Sequence, residues 1–194
     1  MTPDWTPFLV CQNGRHAQSP RSIHSPEGIG DRLRAAAFAE IQAREAFNWA
    51  AGKFNNVAPD SLISAWKGLA LAEDKHLKWL LERMAQIKQD PGARRVSDRL
   101  WYSFVKCESP EEFAVYMANA EERGRIAGER FFESILEIDA ISAEIFRKIA
   151  EEELEHIRLA QRFFNNNSGI NLPNEIAKDV LRAPLDQCNH HIQN

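Results

Sequence analysis

Cysteine is scarce in this sequence of 194 residues, and the three cysteines, Cys11, Cys107 and Cys188, lie far apart. No Cys-x-x-Cys pair occurs, which excludes a rubredoxin-type iron centre and a zinc ribbon. An odd number of dispersed thiols is typical of proteins in a reducing compartment, where disulfides do not persist. We therefore expect a cytoplasmic protein whose fold does not depend on disulfide bonds.

Long apolar runs and an excess of basic residues are also missing. No apolar stretch approaches the roughly 18 residues that a membrane span requires, and the N-terminus has no basic-then-apolar signal segment. The net charge of −4 and the pI of about 5.9 do not indicate the basic surface that binds nucleic acid. We expect neither a membrane nor a nucleic acid as partner, and the 44% hydrophobic and 27% charged residues are ordinary for one globular domain.

Apolar residues recur every three or four positions along most of the chain, which predicts amphipathic helices. Ser25 and Ser109 each precede a proline and an acidic residue, which is typical of a capped helix start. The predicted helices span about residues 26–56, 59–89, 110–138 and 140–167, with a short crossover helix at about 96–106. Because the turns within each pair are short, we expect two antiparallel hairpins joined by a long crossover.

The predicted fold class is therefore all-α, with an antiparallel four-helix bundle over residues 26–169. Residues 1–25 lack periodicity and are predicted to form an irregular N-terminal arm. Residues 170–194 are predicted to form a C-terminal arm or a short helix.

One set of glutamate and histidine residues occurs twice. The first half of the chain contains Glu40, Glu73 and His76, and the second half contains Glu121, Glu153 and His156. Each histidine follows a glutamate as Glu-x-x-His, so the two side chains lie on one helix face about one turn apart. The two Glu-x-x-His motifs are 80 residues apart and the two upstream glutamates 81 residues apart, so the halves resemble degenerate copies. This combination is the ligand set of a two-metal carboxylate site inside a four-helix bundle.

The predicted position of these six residues explains why they need a metal. All six fall on the apolar seams of the predicted helices, and four buried carboxylates would carry about four negative charges. Leaving a buried ion unpaired costs several kcal/mol or more, and two divalent cations supply both charge and coordination. Carboxylate and imidazole ligands suit iron, or manganese in one or both positions. Surface ion pairs are the alternative without a metal.

Some neighbouring residues leave alternatives open. Glu45 and Glu122 are rivals to the two upstream glutamates, although the repeat alignment and the apolar periodicity favour Glu40 and Glu121. Arg44 and Arg125 follow those glutamates by one turn and are candidates for holding the carboxylates in place, or for exposed helix-surface arginines. Beyond the ligands we identify no separate catalytic acid or base. Met117, Gly124 and Gly128 share a helix seam with Glu121; the glycines either leave room for a substrate pocket or allow close helix packing.

These motifs carry a family resemblance. Residues 38–44 (Phe-Ala-Glu-Ile-Gln-Ala-Arg) resemble the first-helix ligand segment of rubrerythrin-type proteins. From Ser25 to His156 the chain is similar to an uncharacterised bacterial branch of the ferritin-like di-iron superfamily. The shared marks are Ser25-Pro26-Glu27-Gly28, Glu40-Ile41-Gln42-Ala43, Leu100-Trp101, Glu121-Glu122-Arg123-Gly124 and Glu153-x-x-His156. The layout also resembles that of the tRNA hydroxylase that acts on modified adenosines.

The resemblance implies a ferritin-like bundle with two iron ions, in which the glutamates and histidines of the repeated set are the ligands. It favours an O₂-dependent oxidase or monooxygenase that oxidises an unknown small molecule or a modified nucleoside, with an electron donor as a further partner. The alternative is a ferroxidase or other metal-binding protein without an organic substrate, or a bundle that the metal only stabilises. Whether the chain forms a homodimer is left open.

Overall fold

Five helices and no strand occur in the part of the chain that the computed structural model describes, residues 3–11 and 15–164, so the fold is all-α there. The helices are α1 (Pro26–Lys53), α2 (Asp60–Gln86), α3 (Arg99–Phe104), α4 (Pro110–Ile135) and α5 (Ala140–Phe163). The predicted C-terminal arm, residues 170–194, lies outside the described residues.

The helix starts follow from local capping. The Ser25 side chain accepts a hydrogen bond from the N–H of Gly28, and the Ser109 side chain accepts one from the N–H of Glu112. Asp139 caps α5 in the same way. Each cap satisfies an N–H group that has no partner inside its helix, which fixes the residue at which the helix begins.

The helix ends differ from the predicted ones. Helices α1, α2 and α4 each end three residues earlier than predicted, α5 ends at Phe163 instead of 167, and α3 spans only Arg99–Phe104. In α2 the cause is visible in the backbone, because Lys88 adopts a left-handed conformation with a φ of 56° that a helix does not continue through. Apolar periodicity runs on into such closing turns and therefore overestimates helix length.

The helices form two antiparallel pairs. In the first pair, Phe54 at the end of α1 lies against Trp66 near the start of α2, with ring centroids 6.2 Å apart. In the second pair, Phe131 of α4 lies against Phe146 of α5, with centroids 4.5 Å apart. The pairs contact each other through α2 with α5 and α1 with α4, and α3 covers part of α1 and α4. No helix in the described part of the chain is both long and apolar enough to cross a membrane.

The N-terminal segment is irregular but contributes to the core, which the sequence did not indicate. Trp5 and Phe8 are buried, and the Trp5 ring makes edge-to-face contacts with Phe38 on α1 and Trp101 on α3. Val10 pairs with Val96 in an isolated parallel bridge. The segment therefore packs along α1 and α3 instead of standing away from them as an arm.

Candidate metal centre

The structure brings all six predicted ligands to one place, with one from α1, one from α4 and two each from α2 and α5. Their exposed fractions lie between 0 and 9%: Glu40, Glu73, His76, Glu121, Glu153 and His156. The antiparallel pairing explains the convergence, because the four glutamates lie at similar distances from their turns and meet at one level.

The ligand atoms form two overlapping groups of four. Glu40 and His76 belong to one group and Glu121 and His156 to the other, while both groups contain Glu73 and Glu153. Within each group, one ligand atom from every residue lies within 4.8 Å of all the others. Each group thus has three carboxylates and one imidazole, and the shared pair occupies the positions that bridge two ions. The two groups mirror the two halves of the sequence repeat.

The histidine nitrogens define the inner face of each group. The Nδ1 atom of His156 lies 2.9 Å from a Glu73 oxygen and 3.1 Å from a Glu153 oxygen. The Nδ1 atom of His76 lies 3.3 Å from Glu40 and 3.4 Å from Glu153. The two rings are stacked, with centroids 5.8 Å apart and 22° between their planes. Both imidazoles therefore present Nδ1 to the carboxylates.

Burial and mutual repulsion disturb the ionisation of these groups in the metal-free protein. Burial raises the pKa of Glu73 and of Glu121, and the charge of Glu153 raises both further. Burial acts against the charged form of Glu153 as well, but the charge of His156 and hydrogen bonds outweigh it and lower that pKa. Burial likewise opposes protonation of His76, but hydrogen bonds to Glu152, Glu153 and Glu40 raise its pKa to about 12. Protons thus supply part of the positive charge that the cluster requires.

The residues present fit a metal better than they fit one another. Five buried polar atoms in the cluster have no hydrogen-bond partner: both carboxylate oxygens of Glu73, one oxygen each of Glu121 and Glu153, and Nδ1 of His156. No lysine or arginine among the described residues forms an ion pair with any of the four glutamates. Buried polar atoms without partners are rare and costly. Oxygen and imidazole nitrogen atoms converging in this way are suitable ligands for divalent iron or manganese.

One residue of the site, Glu152, could not be found from the sequence. Its carboxylate accepts a hydrogen bond from Nε2 of His76 at 2.9 Å and also pairs with Lys75. The hydrogen bond from His76, opposed by partial burial, lowers the pKa of Glu152 to about 2. Glu152 therefore holds the outer nitrogen of the ring while Nδ1 faces the cluster, as carboxylates commonly do behind metal-bound histidines. The repeat offers no signal for it, because the position 80 residues earlier is Ala72.

The two arginines behave differently from the prediction. Arg44 pairs with Glu45 and Asp74, so it does not hold Glu40. Arg125 is buried and pairs with Glu122 and Glu129, so it does not hold Glu121. The helix turn that separates each arginine from its glutamate directs the guanidinium to a neighbouring acid instead.

These ion pairs also separate the two pairs of rival glutamates. Glu45 and Glu122 are the partners of Arg44 and Arg125 and belong to neither ligand group. Glu40 and Glu121 are the glutamates of α1 and α4 that reach the cluster.

A cavity of about 620 Å³ lies between α1 and α4 and reaches four of the cluster's carboxylates. Met117, Gly124 and Gly128 all line it. A Cβ atom added at Gly124 would meet nothing within 4 Å, whereas one at Gly128 would contact Phe146 at 3.7 Å. Gly124 thus leaves space in the cavity and Gly128 allows α5 to pack closely. The volume lies in the ~300–1,000 Å³ range that is usual for small-molecule sites.

Comparison with known proteins identifies a family but no characterised relative. No curated protein and no solved structure matches the chain significantly. A family described as "Protein of unknown function (DUF455)" matches residues 3–190, which is almost the whole chain. The chain therefore belongs to the DUF455 family.

Proposed function

We propose that this protein is a ferritin-like di-iron carboxylate oxidoreductase that uses O₂ to oxidise a small organic molecule. The observation that carries the proposal is the buried cluster of four carboxylates and two imidazoles, with five polar atoms that lack partners. Two antiparallel helical pairs joined through a crossover, with ligands from all four long helices, support a ferritin-like arrangement.

The ligand groups assign a role to each residue in this proposal. Glu40 and His76 would hold one ion, Glu121 and His156 the other, and the carboxylates of Glu73 and Glu153 would be shared. When bound, the two ions would supply the redox chemistry with O₂ that no side chain provides. Manganese in one or both positions is the alternative to iron that the ligand atoms favour.

The chain's own residues contribute position, charge and exclusion of water. Glu152 fixes the orientation of the His76 ring through its outer nitrogen. The apolar core around the cluster, including the fully buried Leu80 and Ile157, keeps the carboxylates out of bulk water. The cavity between α1 and α4 gives a small molecule access to the ligand carboxylates. A ferroxidase needs no cavity of this size, so the cavity favours oxidation of an organic substrate over iron handling alone.

The first experiment is to measure the metal content of the purified protein and then follow absorbance after anaerobic Fe(II) loading and mixing with O₂. We expect about two iron ions per chain, O₂ consumption and a transient absorption in the visible. The variant Glu73→Gln should lose both ions, because Glu73 belongs to both ligand groups. Glu45→Gln is the matched control, since Glu45 lies on α1 but outside the cluster. One zinc ion or no metal, together with no O₂ consumption, would refute the proposal.

A further inference from the structure

The cavity between α1 and α4 is elongated, because the two helices run antiparallel along it. Phe47 of α1 lies opposite Phe113 of α4, with ring centroids 6.0 Å apart. Further along, the guanidinium of Arg32 on α1 lies 5.8 Å from the ring centroid of Phe131 on α4. Glu40 and Glu121 lie between these two contacts, and both line the cavity. The cavity therefore extends along the helices from the ligand carboxylates towards Arg32.

Small apolar residues form most of the wall. The α1 side presents Ala35, Ala36, Ala39 and Ala43, and the α4 side presents Ala120, Gly124, Ala127 and Gly128. Leu100, Phe104 and Ile149 add larger apolar side chains. These side chains offer no hydrogen-bond donor or acceptor, so the body of a ligand here must be apolar. Their small size leaves room for a chain between the helices.

Two positive charges lie at the end of the cavity away from Phe104. Arg32 and Arg130 both line it, one from each helix, together with Ser134. Arg32 donates hydrogen bonds only to the backbone carbonyls of Arg21 and Gly28. Neither Arg32 nor Arg130 forms an ion pair within the described residues, whereas Arg125 has two acidic partners. The two guanidinium groups thus retain their charge for an anion.

The separation between the charges and the carboxylates sets the length of the ligand. Arg32 precedes Glu40 by eight residues, and Arg130 follows Glu121 by nine. At ~1.5 Å per helical residue, the arginines stand about 12–14 Å along the helices from the ligand carboxylates. An extended hydrocarbon chain of roughly eight to ten carbons spans such a distance.

We propose that the substrate is an amphipathic anion: a medium-length apolar chain that enters the metal cluster end, with a terminal carboxylate or phosphate bound by Arg32 and Arg130. This inference rests on the proposed function, because it narrows the substrate of the same site. The apolar wall binds the chain, and the charged end orients it so that the far carbons approach the ligand carboxylates. A modified nucleoside, which carries polar groups along its body, does not match that wall.

The test uses isothermal titration of the full chain, with its metal content measured, against decanoate, decyl phosphate and uncharged decanol. We expect at least one anion to bind about tenfold or more tightly than decanol, since a hydrogen-bonded charge contributes about 1.5–3 kcal/mol. The tighter of the two anions identifies the head group. Arg130→Gln should weaken binding of that anion about tenfold and leave decanol unchanged. Arg123→Gln is the matched control, because Arg123 is exposed on α4 and does not line the cavity.

A second variant tests the location of the chain. Gly124→Leu places a side chain into open cavity space without a clash, so it should abolish binding of every probe while the metal content stays at the wild-type value. Decanol binding as tightly as the anions, or equal losses in Arg130→Gln and Arg123→Gln, would overturn the inference. Metal content and O₂ consumption on the same samples distinguish this failure from that of the proposed function, because the probes bind through the arginines and the wall.

Discussion

Replacing Glu152 by glutamine tests whether the metal cluster depends on a residue outside the ligand set. Glu152 accepts the hydrogen bond from Nε2 of His76 at 2.9 Å and carries the negative charge that favours the ring's present orientation. Glutamine keeps the size but removes the charge, and its amide can present either oxygen or nitrogen to the ring. His76 then loses its orienting partner while all six ligands remain.

The expected magnitude follows from the geometry and exposure. Loss of a partner behind a metal-bound histidine typically weakens metal affinity about 10–100-fold, or about 1.4–2.7 kcal/mol. The Glu152 side chain is 37% exposed, so solvent screens part of its effect. We therefore expect the lower end of this range, about tenfold. The loss should fall on one ion only, because His76 belongs to one ligand group and His156 to the other.

The assay is a titration of metal-free protein with Co²⁺, followed through its visible absorption and competed with a chelator to resolve two binding steps. Glu151→Gln is the matched control, because Glu151 is the preceding residue, is exposed and pairs with Arg147 on its own helix. The thermal stability of the metal-free variants shows whether either fold is disturbed. Wild-type affinity for both ions in Glu152→Gln, or an equal loss in the control, would refute the reasoning.

Three further predictions concern stability and pH. Metal affinity should rise with pH in chelator competition, because the pKa values of Glu73 and Glu121 are raised, so metal must displace their protons; a flat profile would contradict this. Asp31→Asn should destabilise the fold by about 3 kcal/mol in urea unfolding, because it removes the charged partner of the buried Arg34. Its pKa is lowered by arginine hydrogen bonds that outweigh burial, so this contribution is present above pH ~4 and fades as the pH falls towards the lowered folded-state pKa. Trp5→Ala should cost about 3–5 kcal/mol, since its ring is buried; a loss below about 1 kcal/mol would contradict its place in the core.

The site was predictable from the sequence to the extent that it is written in local spacing. Glu-x-x-His on a helix fixes a shared face, and a repeat of that motif at a near-constant offset indicates two equivalent contributions to one cluster. The same periodicity placed Glu40 and Glu121 on the buried seams, and both are buried in the structure. The partners of Arg44 and Arg125 were not predictable, because a long side chain can reach any acid within one turn.

The helix ends and the N-terminal segment show a second limit. Apolar residues continue past Lys53 and Gln86 into the closing turns, so periodicity could not separate the two. Trp5 and Phe8 occur in an aperiodic stretch, and nothing in their local spacing indicates that they pack on α1. Burial of an irregular segment depends on a surface that only the folded helices create.

By itself, the sequence determined the helical class, the capped helix starts and the identity of the six clustered side chains, because all of these depend on spacings within one or two turns. Only the tertiary structure decided that Glu152 lies behind His76, that α1 and α4 stand apart to leave a cavity, and that Arg32 and Arg130 share one end of it. These features join residues tens to about a hundred positions apart. They arise from how whole helices pack, which no local pattern specifies.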